Sequence, residues 1–105
     1  MTTPHKEITS GLKFPEGPVA MPDGSVILVE IARQTLTRVM PDGKQHVIAN
    51  LGGGPNGAAM GPAGKVYVTN NGGFEWVERP GKLFPATQAK DYAGGRPRET
   101  HEKPE

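Results

Sequence analysis

Short apolar runs separated by turn-forming residues dominate the sequence. The most apolar run, residues 25–31, is rich in β-branched side chains, which is typical of a strand covered on both faces. Two further runs follow at 34–40 and 44–50, and Pro-Asp-Gly triplets precede residues 25 and 44, where they predict tight turns. No segment has a helical period. The pattern therefore predicts an all-β fold, with strands at 19–21, 25–31, 34–40 and 44–50.

Much of this pattern begins again 40 residues further along the chain. Glu16-Gly17 then aligns with Asn56-Gly57, and the turn and the apolar run that follow also align. A repeat of about 40 residues, built from short strands and glycine turns, has the length of one four-stranded propeller blade. We therefore predict a partial β-propeller that contains one four-stranded blade and the start of a second.

The two ends of the chain lack the repeated pattern. Residues 1–10 are polar and are predicted to form a flexible N-terminus. Residues 79–105 combine prolines, glycines and scattered charges with few apolar side chains, and they are predicted to form a disordered C-terminal tail. The partial propeller is therefore expected over residues 11–78.

Composition narrows the functional classes. The 105 residues give room for one domain at most, and the 12 basic and 11 acidic residues leave a net charge of +1. Such a balance indicates neither nucleic-acid nor membrane binding. The absence of cysteine excludes disulfides, thiol nucleophiles and cysteine-bound zinc. The sequence shows no signal-peptide pattern and no apolar run of membrane-spanning length, so we expect a cytoplasmic protein.

The segment from Phe14 to Pro18 (Phe-Pro-Glu-Gly-Pro), followed by a Pro-Asp-Gly turn and an apolar strand that ends in an acidic residue, resembles the SMP-30/gluconolactonase/LRE-like family. The later stretches RVMPDGK and GGGPNGAAMGPAGKVYVTNNGGFEW are similar to the sugar-lactonase branch of that family. The resemblance covers residues 11–78. It implies a six-bladed propeller that hydrolyses sugar lactones and depends on Ca²⁺ or another divalent cation.

The same resemblance implies a role for one carboxylate. It assigns Glu16 as a ligand of the metal ion, and a carboxylate on a rigid corner suits Ca²⁺. The family's remaining ligands, an Asn and an Asp, belong to later blades. Asn56, in Pro-Asn-Gly, is a second candidate for contact with metal or substrate, although the repeat places it at the start of the second blade. No Gly-x-Ser-x-Gly element is present, so the catalytic residues are unassigned.

Two functions follow from these observations. Six blades of this size need about 240 residues, so we expect an N-terminal fragment or truncated form of a sugar-lactone hydrolase that is inactive alone. The alternative is a non-enzymatic β-meander that serves as an interaction or assembly module and self-associates through its open blade edges.

Other polar and aromatic residues receive structural interpretations. Glu30, at the end of the most apolar run, is expected to be an exposed strand-terminal charge, with a position lining a central channel as the alternative. Tyr67, Phe74 and Trp76 are expected to pack within the blades, with a sugar-stacking platform as the alternative.

Overall fold

The computed structural model describes residues 4–90 and the backbone of residues 96–100. This part of the chain forms nine strands and one short 3₁₀ helix: β1 (Pro15–Ala20), β2 (Val26–Glu30), β3 (Thr35–Val39), β4 (Gln45–Asn50), β5 (Pro55–Met60), the 3₁₀ helix (Pro62–Gly64), β6 (Val66–Asn70), β7 (Phe74–Arg79), β8 (Lys82–Gln88) and β9 (Arg96–Thr100). No helix within these ranges has the length and hydrophobicity needed to span a membrane.

The first blade is a four-stranded antiparallel sheet in the order β1-β2-β3-β4, which confirms the predicted blade. Its two Pro-Asp-Gly turns close the outer hairpins, as their sequence predicts. The carboxylates of Asp23 and Asp42 accept hydrogen bonds from the backbone amides of Ser25 and Lys44, at 2.9 and 3.0 Å. The glycine in each turn has a positive φ angle, of 86° and 89°, a conformation that glycine adopts at little cost.

Strand β1 begins earlier than the sequence pattern predicts. The Pro-Glu-Gly-Pro corner is part of the strand, because Pro15 pairs with Glu30 and Glu16 pairs with Val29. A register shift between Glu16 and Val19 accommodates the intervening Gly and Pro. Strand β1 lies at the edge of its sheet, and an edge strand tolerates prolines because their missing amide hydrogens can face away from the ladder.

The second blade repeats the first two strands of the first one. Strands β5 and β6 follow β1 and β2 at a spacing of 40 residues, and Pro55 pairs with Asn70 as Pro15 pairs with Glu30. A register shift also recurs, here between Pro55 and Gly57. The start of a second blade is therefore confirmed, with the sheet order β5-β6-β9.

The third strand of the second blade comes from a later part of the sequence. Residues 74–77 form part of β7, but β7 pairs with β8, and β9 pairs with β6. The loop between β6 and β7 is tightly turned. The side chains of Asn70 and Asn71 accept the amides of Gly72 and Gly73, each at 2.9 Å, and both glycines have positive φ angles.

The segment predicted to be a disordered tail contains strand structure. Within residues 79–105 the structure forms β8 and β9, whereas residues 91–95 and 101–105 lie outside the described part of the chain. Most side chains of β8 are exposed. The sequence pattern missed this strand because its pairing with β7 depends on backbone hydrogen bonds and requires no buried face.

The hydrophobic core lies between the two blades. Strand β5 contacts both β1 and β2, and buried apolar side chains from the two blades form one cluster. The buried members of this cluster are Ile27, Val29, Leu36, Leu51, Val66 and Val68. Burying a side chain of this size contributes roughly 1.5–3 kcal/mol, so the contact between the blades is the main apolar stabilisation of the described fold.

Glu30 is buried, so the expectation that it is an exposed strand-terminal charge or lines a central channel is wrong. Its exposure is 0%. The hydroxyls of Thr37 and Thr35 donate to its Oε2 atom at 2.5 and 3.1 Å, and the Lys13 amide donates to Oε1 at 2.7 Å. Arg33 adds an ion pair to Oε1 at 2.9 Å. The carboxylate therefore fixes the residues that lead into β1 onto the first blade.

These contacts also determine the acidity of the group. Burial raises the pKa of the Glu30 carboxyl, but the hydrogen bonds from Thr37, Lys13 and Arg33 and the charge of Arg33 outweigh burial, and the pKa lies below its ordinary value of 4.5. The charged form is therefore the one that the fold stabilises.

Removal of this carboxylate should destabilise the fold. Glu30→Ala leaves the Lys13 amide and two threonine hydroxyls without their buried acceptor, so we expect the free energy of unfolding at pH 7 to fall by about 3 kcal/mol. Urea denaturation followed by circular dichroism measures this change. Glu7→Ala, at an exposed glutamate, is the control, and an equal effect in both variants would contradict the anchoring role of Glu30.

Stability should also depend on pH through the same group. Because the pKa of Glu30 is lower in the folded state than in the unfolded state, its contribution is present above the ordinary pKa and is lost as pH falls through the folded pKa. Urea denaturation from pH 7 to about pH 3 should therefore show a steeper loss of stability in wild type than in Glu30→Gln. Parallel profiles for the two proteins would exclude this linkage.

Candidate metal and substrate site

Glu16 lies at the start of β1, on the edge of the first blade that meets the second blade. Its side chain is exposed, and its backbone pairs with Val29 in β2. Strand β1 also packs against β5, the edge strand of the second blade. Glu16 is therefore carried by a paired edge strand, and its side chain is exposed to solvent.

The residue after Glu16 makes the closest contact between the two blades. Gly17 has a φ angle of 59°, and a Cβ atom at this position would lie 2.8 Å from the amide nitrogen of Ala58 and 2.9 Å from the Cα of Gly57. Real side chains do not tolerate such distances to backbone atoms. Glycine at position 17 therefore allows the corner of β1 to lie directly against β5.

This contact brings the two candidate residues onto adjacent strands. Asn56 precedes Gly57 in β5 as Glu16 precedes Gly17 in β1, and its side chain is also exposed. The two residues that flank the Gly17–Gly57 contact are thus a carboxylate and an amide, each an oxygen donor. Sequence comparison alone placed them in equivalent positions of the repeat, and the structure adds that their strands touch.

Asn70 holds the loop that leads to Asn56, a role that the sequence analysis did not identify. Its Oδ1 atom accepts the amide of Gly54 at 3.0 Å, and its Nδ2 atom donates to the carbonyl of Gly52 at 2.9 Å. The side chain is 8% exposed. Asn70 aligns with Glu30 in the repeat, so the repeat was the signal that could have identified both as buried anchors.

The oxygen donors of Glu16 and Asn56 are of the type that a divalent cation binds, but two donors are too few to complete a site. Ca²⁺ takes six to eight oxygen ligands, and Glu16 and Asn56 offer carboxylate and amide oxygens of the required type. Among the described residues, no group of three or more His, Cys, Asp or Glu side chains is arranged to hold a metal ion. A complete site would need oxygen donors from outside this part of the chain.

Aromatic residues cluster beside the first blade. The ring of Trp76 lies 5.1 Å from that of Phe14 and 5.8 Å from that of Phe74, measured between centroids. These tilted and edge-to-face contacts join the β7–β8 hairpin to the residue that precedes β1, and such arrangements are favourable for aromatic pairs. Tyr67 lies elsewhere, on the second blade, and is 40% exposed.

Comparison with known proteins identifies the family. A search of curated proteins found no match. The family model of the SMP-30/gluconolactonase/LRE-like region matches residues 14–100. The match begins at Phe14, the first residue of the Phe-Pro-Glu-Gly-Pro motif, and extends beyond residue 78 to include β8 and β9. With most of its length matched and its strands arranged in antiparallel blades, the chain belongs to the SMP-30/gluconolactonase/LRE-like family.

Proposed function

We propose that this chain contributes to a divalent-cation site for the hydrolysis of sugar lactones, with Glu16 as a metal ligand and Asn56 as a second contact to metal or substrate. The contact of Gly17 with Gly57 and Ala58 carries the proposal, because it holds the strands of the two exposed oxygen donors against each other. Membership of a family of lactonase-like proteins supports the reaction class.

Each side chain has a chemical role suited to its position. A divalent cation such as Ca²⁺, when bound, would polarise the lactone carbonyl and lower the pKa of water. The Glu16 carboxylate neutralises part of the cation's charge. The Asn56 amide either offers its oxygen to the cation or orients a sugar hydroxyl by a hydrogen bond. Since further oxygen donors are required, the 105-residue chain is proposed to be inactive alone, as a portion of a larger catalytic unit.

An assembly module remains the second candidate function. The exposed ring of Tyr67 and the exposed strand residues beside it favour it, because they leave an apolar face of the second blade open. The two functions differ in what they require: the first requires metal binding through Glu16, and the second requires association that is independent of metal.

The role of Glu16 can be tested by calcium titration. We expect isothermal titration calorimetry to detect only weak binding, in about the millimolar range or weaker, because calcium affinity depends on the number and charge of the oxygen ligands. Glu16→Gln keeps the shape of the side chain and removes its charge, and we expect it to abolish the binding heat. Glu78→Gln, at an exposed glutamate on β7, is the matched control. Binding that persists in Glu16→Gln would refute the proposed ligand.

A lactonase assay addresses activity separately. Hydrolysis of glucono-δ-lactone, followed by acid release, is expected to stay at the uncatalysed rate with the purified chain. Hydrolysis that is suppressed by a chelator and lost in Glu16→Gln would show instead that this chain is active on its own.

The close contact at Gly17 gives a further prediction. Gly17→Ala introduces both the strain of a positive φ angle and a clash with β5. Gly81→Ala introduces only the strain, because Gly81 has a φ angle of 70° and a Cβ atom added there would meet no neighbouring element within 4 Å. We expect Gly81→Ala to cost about 1 kcal/mol of stability and Gly17→Ala to cost about 1–3 kcal/mol more.

Urea denaturation of the two variants measures the difference. Gly17→Ala should also weaken calcium binding, since it moves the strand that carries Glu16 away from β5. Equal stabilities of the two variants would show that the blades do not depend on this contact.

A further inference from the structure

One face of the second blade is open to solvent. Along β6, Val66 and Val68 are buried against the first blade, whereas Tyr67 and Thr69 point to the opposite face and are exposed. Gly57 and Ala59 of β5 pair with Thr69 and Tyr67 and complete this face. We call it the open face; it borders an apolar depression of about 320 Å³.

The repeat shows what kind of structure packs on such a face. Tyr67 and Thr69 align with Ile27 and Val29 of the first blade at the spacing of 40 residues. Both Ile27 and Val29 have 0% exposure and belong to the core between the blades. The open face is thus the second-blade equivalent of a surface that, in the first blade, is covered by the next blade.

At the opposite end of the two-blade stack, the N-terminal segment binds the turn before β4 and the start of β4. Thr9 donates to the carbonyl of Gly43 at 2.9 Å, and the Gln45 side chain donates to the Thr9 hydroxyl at 2.8 Å and to the Ser10 carbonyl at 2.7 Å. Ile8 and Val47 remain 49% and 48% exposed at this end. We call the surface around these two residues the leading end.

The N-terminal segment also occupies a particular place in the repeat. Residues 8–10 align with residues 48–50, which end β4, the outermost strand of the first blade. The loops that follow are bound alike: the Ile31 amide donates to the Phe14 carbonyl, as the Asn71 amide donates to the Gly54 carbonyl. Residues 8–10 therefore stand where the fourth strand of a preceding blade would end.

Within the described residues, the second blade has one strand fewer than the first. Its sheet has the order β5-β6-β9, and within the described residues β9 pairs only with β6. An unpaired strand edge readily accepts a strand from another chain. The described part of the chain thus has a sheet edge without a fourth strand at one end, and a segment in the place of a fourth strand at the other.

We propose that copies of this chain associate head to tail, with the open face of one copy packed on the leading end of the next. In this arrangement residues 4–10 of the second copy lie beside β9 of the first as its fourth strand. The interface places the first blade of the next copy on the open side of the second blade. It is heterologous, so every copy offers two different surfaces and the contact can repeat. No step depends on the proposed metal site.

Sedimentation velocity in the presence of a chelator tests the association, over protein concentrations from about 1 µM to about 1 mM, which spans weak to moderate affinities. Wild type is expected to exceed the monomer mass of 11.2 kDa increasingly as concentration rises. Tyr67→Glu, on the open face, and Val47→Glu, at the leading end, are each expected to remain monomeric, because each places a charge in the apolar contact.

Mixing the two variants distinguishes a head-to-tail interface from a symmetric one. Tyr67→Glu keeps an intact leading end, and Val47→Glu keeps an intact open face. An equimolar mixture should therefore form a heterodimer of twice the monomer mass and nothing larger. A mixture that stays monomeric would overturn the proposed geometry.

Two further variants complete the test. Phe84→Glu, at a residue on β8 that is 45% exposed and outside both surfaces, should associate as wild type does. Thr69→Glu provides a second substitution on the open face, and circular dichroism verifies that each variant is folded. A wild type that is monomeric at every concentration, or an effect of Phe84→Glu as large as that of Tyr67→Glu, would refute the proposal. A loss of calcium binding in Glu16→Gln without any change in association would leave it intact.

Discussion

The described fold depends on the packing of the two blades, in which each sheet covers one face of the other. The contact is formed where Ile27 and Val29 of the first blade meet Val66 and Val68 of the second. It can be close because Gly17 has no side chain at the point where β1 touches β5. Backbone-to-backbone packing at this point brings the apolar residues together and determines which side chains remain exposed at the junction, including Glu16 and Asn56.

In each blade, one buried polar side chain binds the loop that leads into the first strand of that blade. Glu30 and Asn70 occupy the same place at the end of the second strand, and each binds backbone groups of the loop that precedes its own blade. The amide of Asn70 does so without charge. Glu30 is charged and needs Thr35, Thr37 and Arg33 as additional partners, since a buried carboxylate is stable only when its hydrogen bonds are complete. This position of the repeat can therefore hold either a neutral amide or a carboxylate, but the carboxylate requires additional hydrogen-bond partners.

The parts of the fold that the sequence predicts are those determined by local pattern. The β-branched run and the Pro-Asp-Gly turns predict β2, β3 and β4, and the repeat predicts β5 and β6. Long-range pairing is not encoded locally: the pairing of β9 with β6 and the burial of Glu30 depend on residues distant in sequence. For the site, Glu16 came from resemblance and Asn56 from its Pro-Asn-Gly motif. The repeat made the two positions equivalent, but only the packing of Gly17 on β5 shows that their strands meet.

The candidate site and the open face are geometrically linked through β5. Asn56 begins this strand, and Gly57, the next residue, belongs to the open face. A blade that packed on Gly57 as β5 packs on Gly17 would bring its own equivalent of Glu16 next to Asn56. Each added blade would then bring one further candidate oxygen donor, because the edge strand that makes the packing contact also carries the donor residue. Hard cations require many oxygens, so a repeat with one candidate donor per edge strand would reach that number only through successive packing of blades.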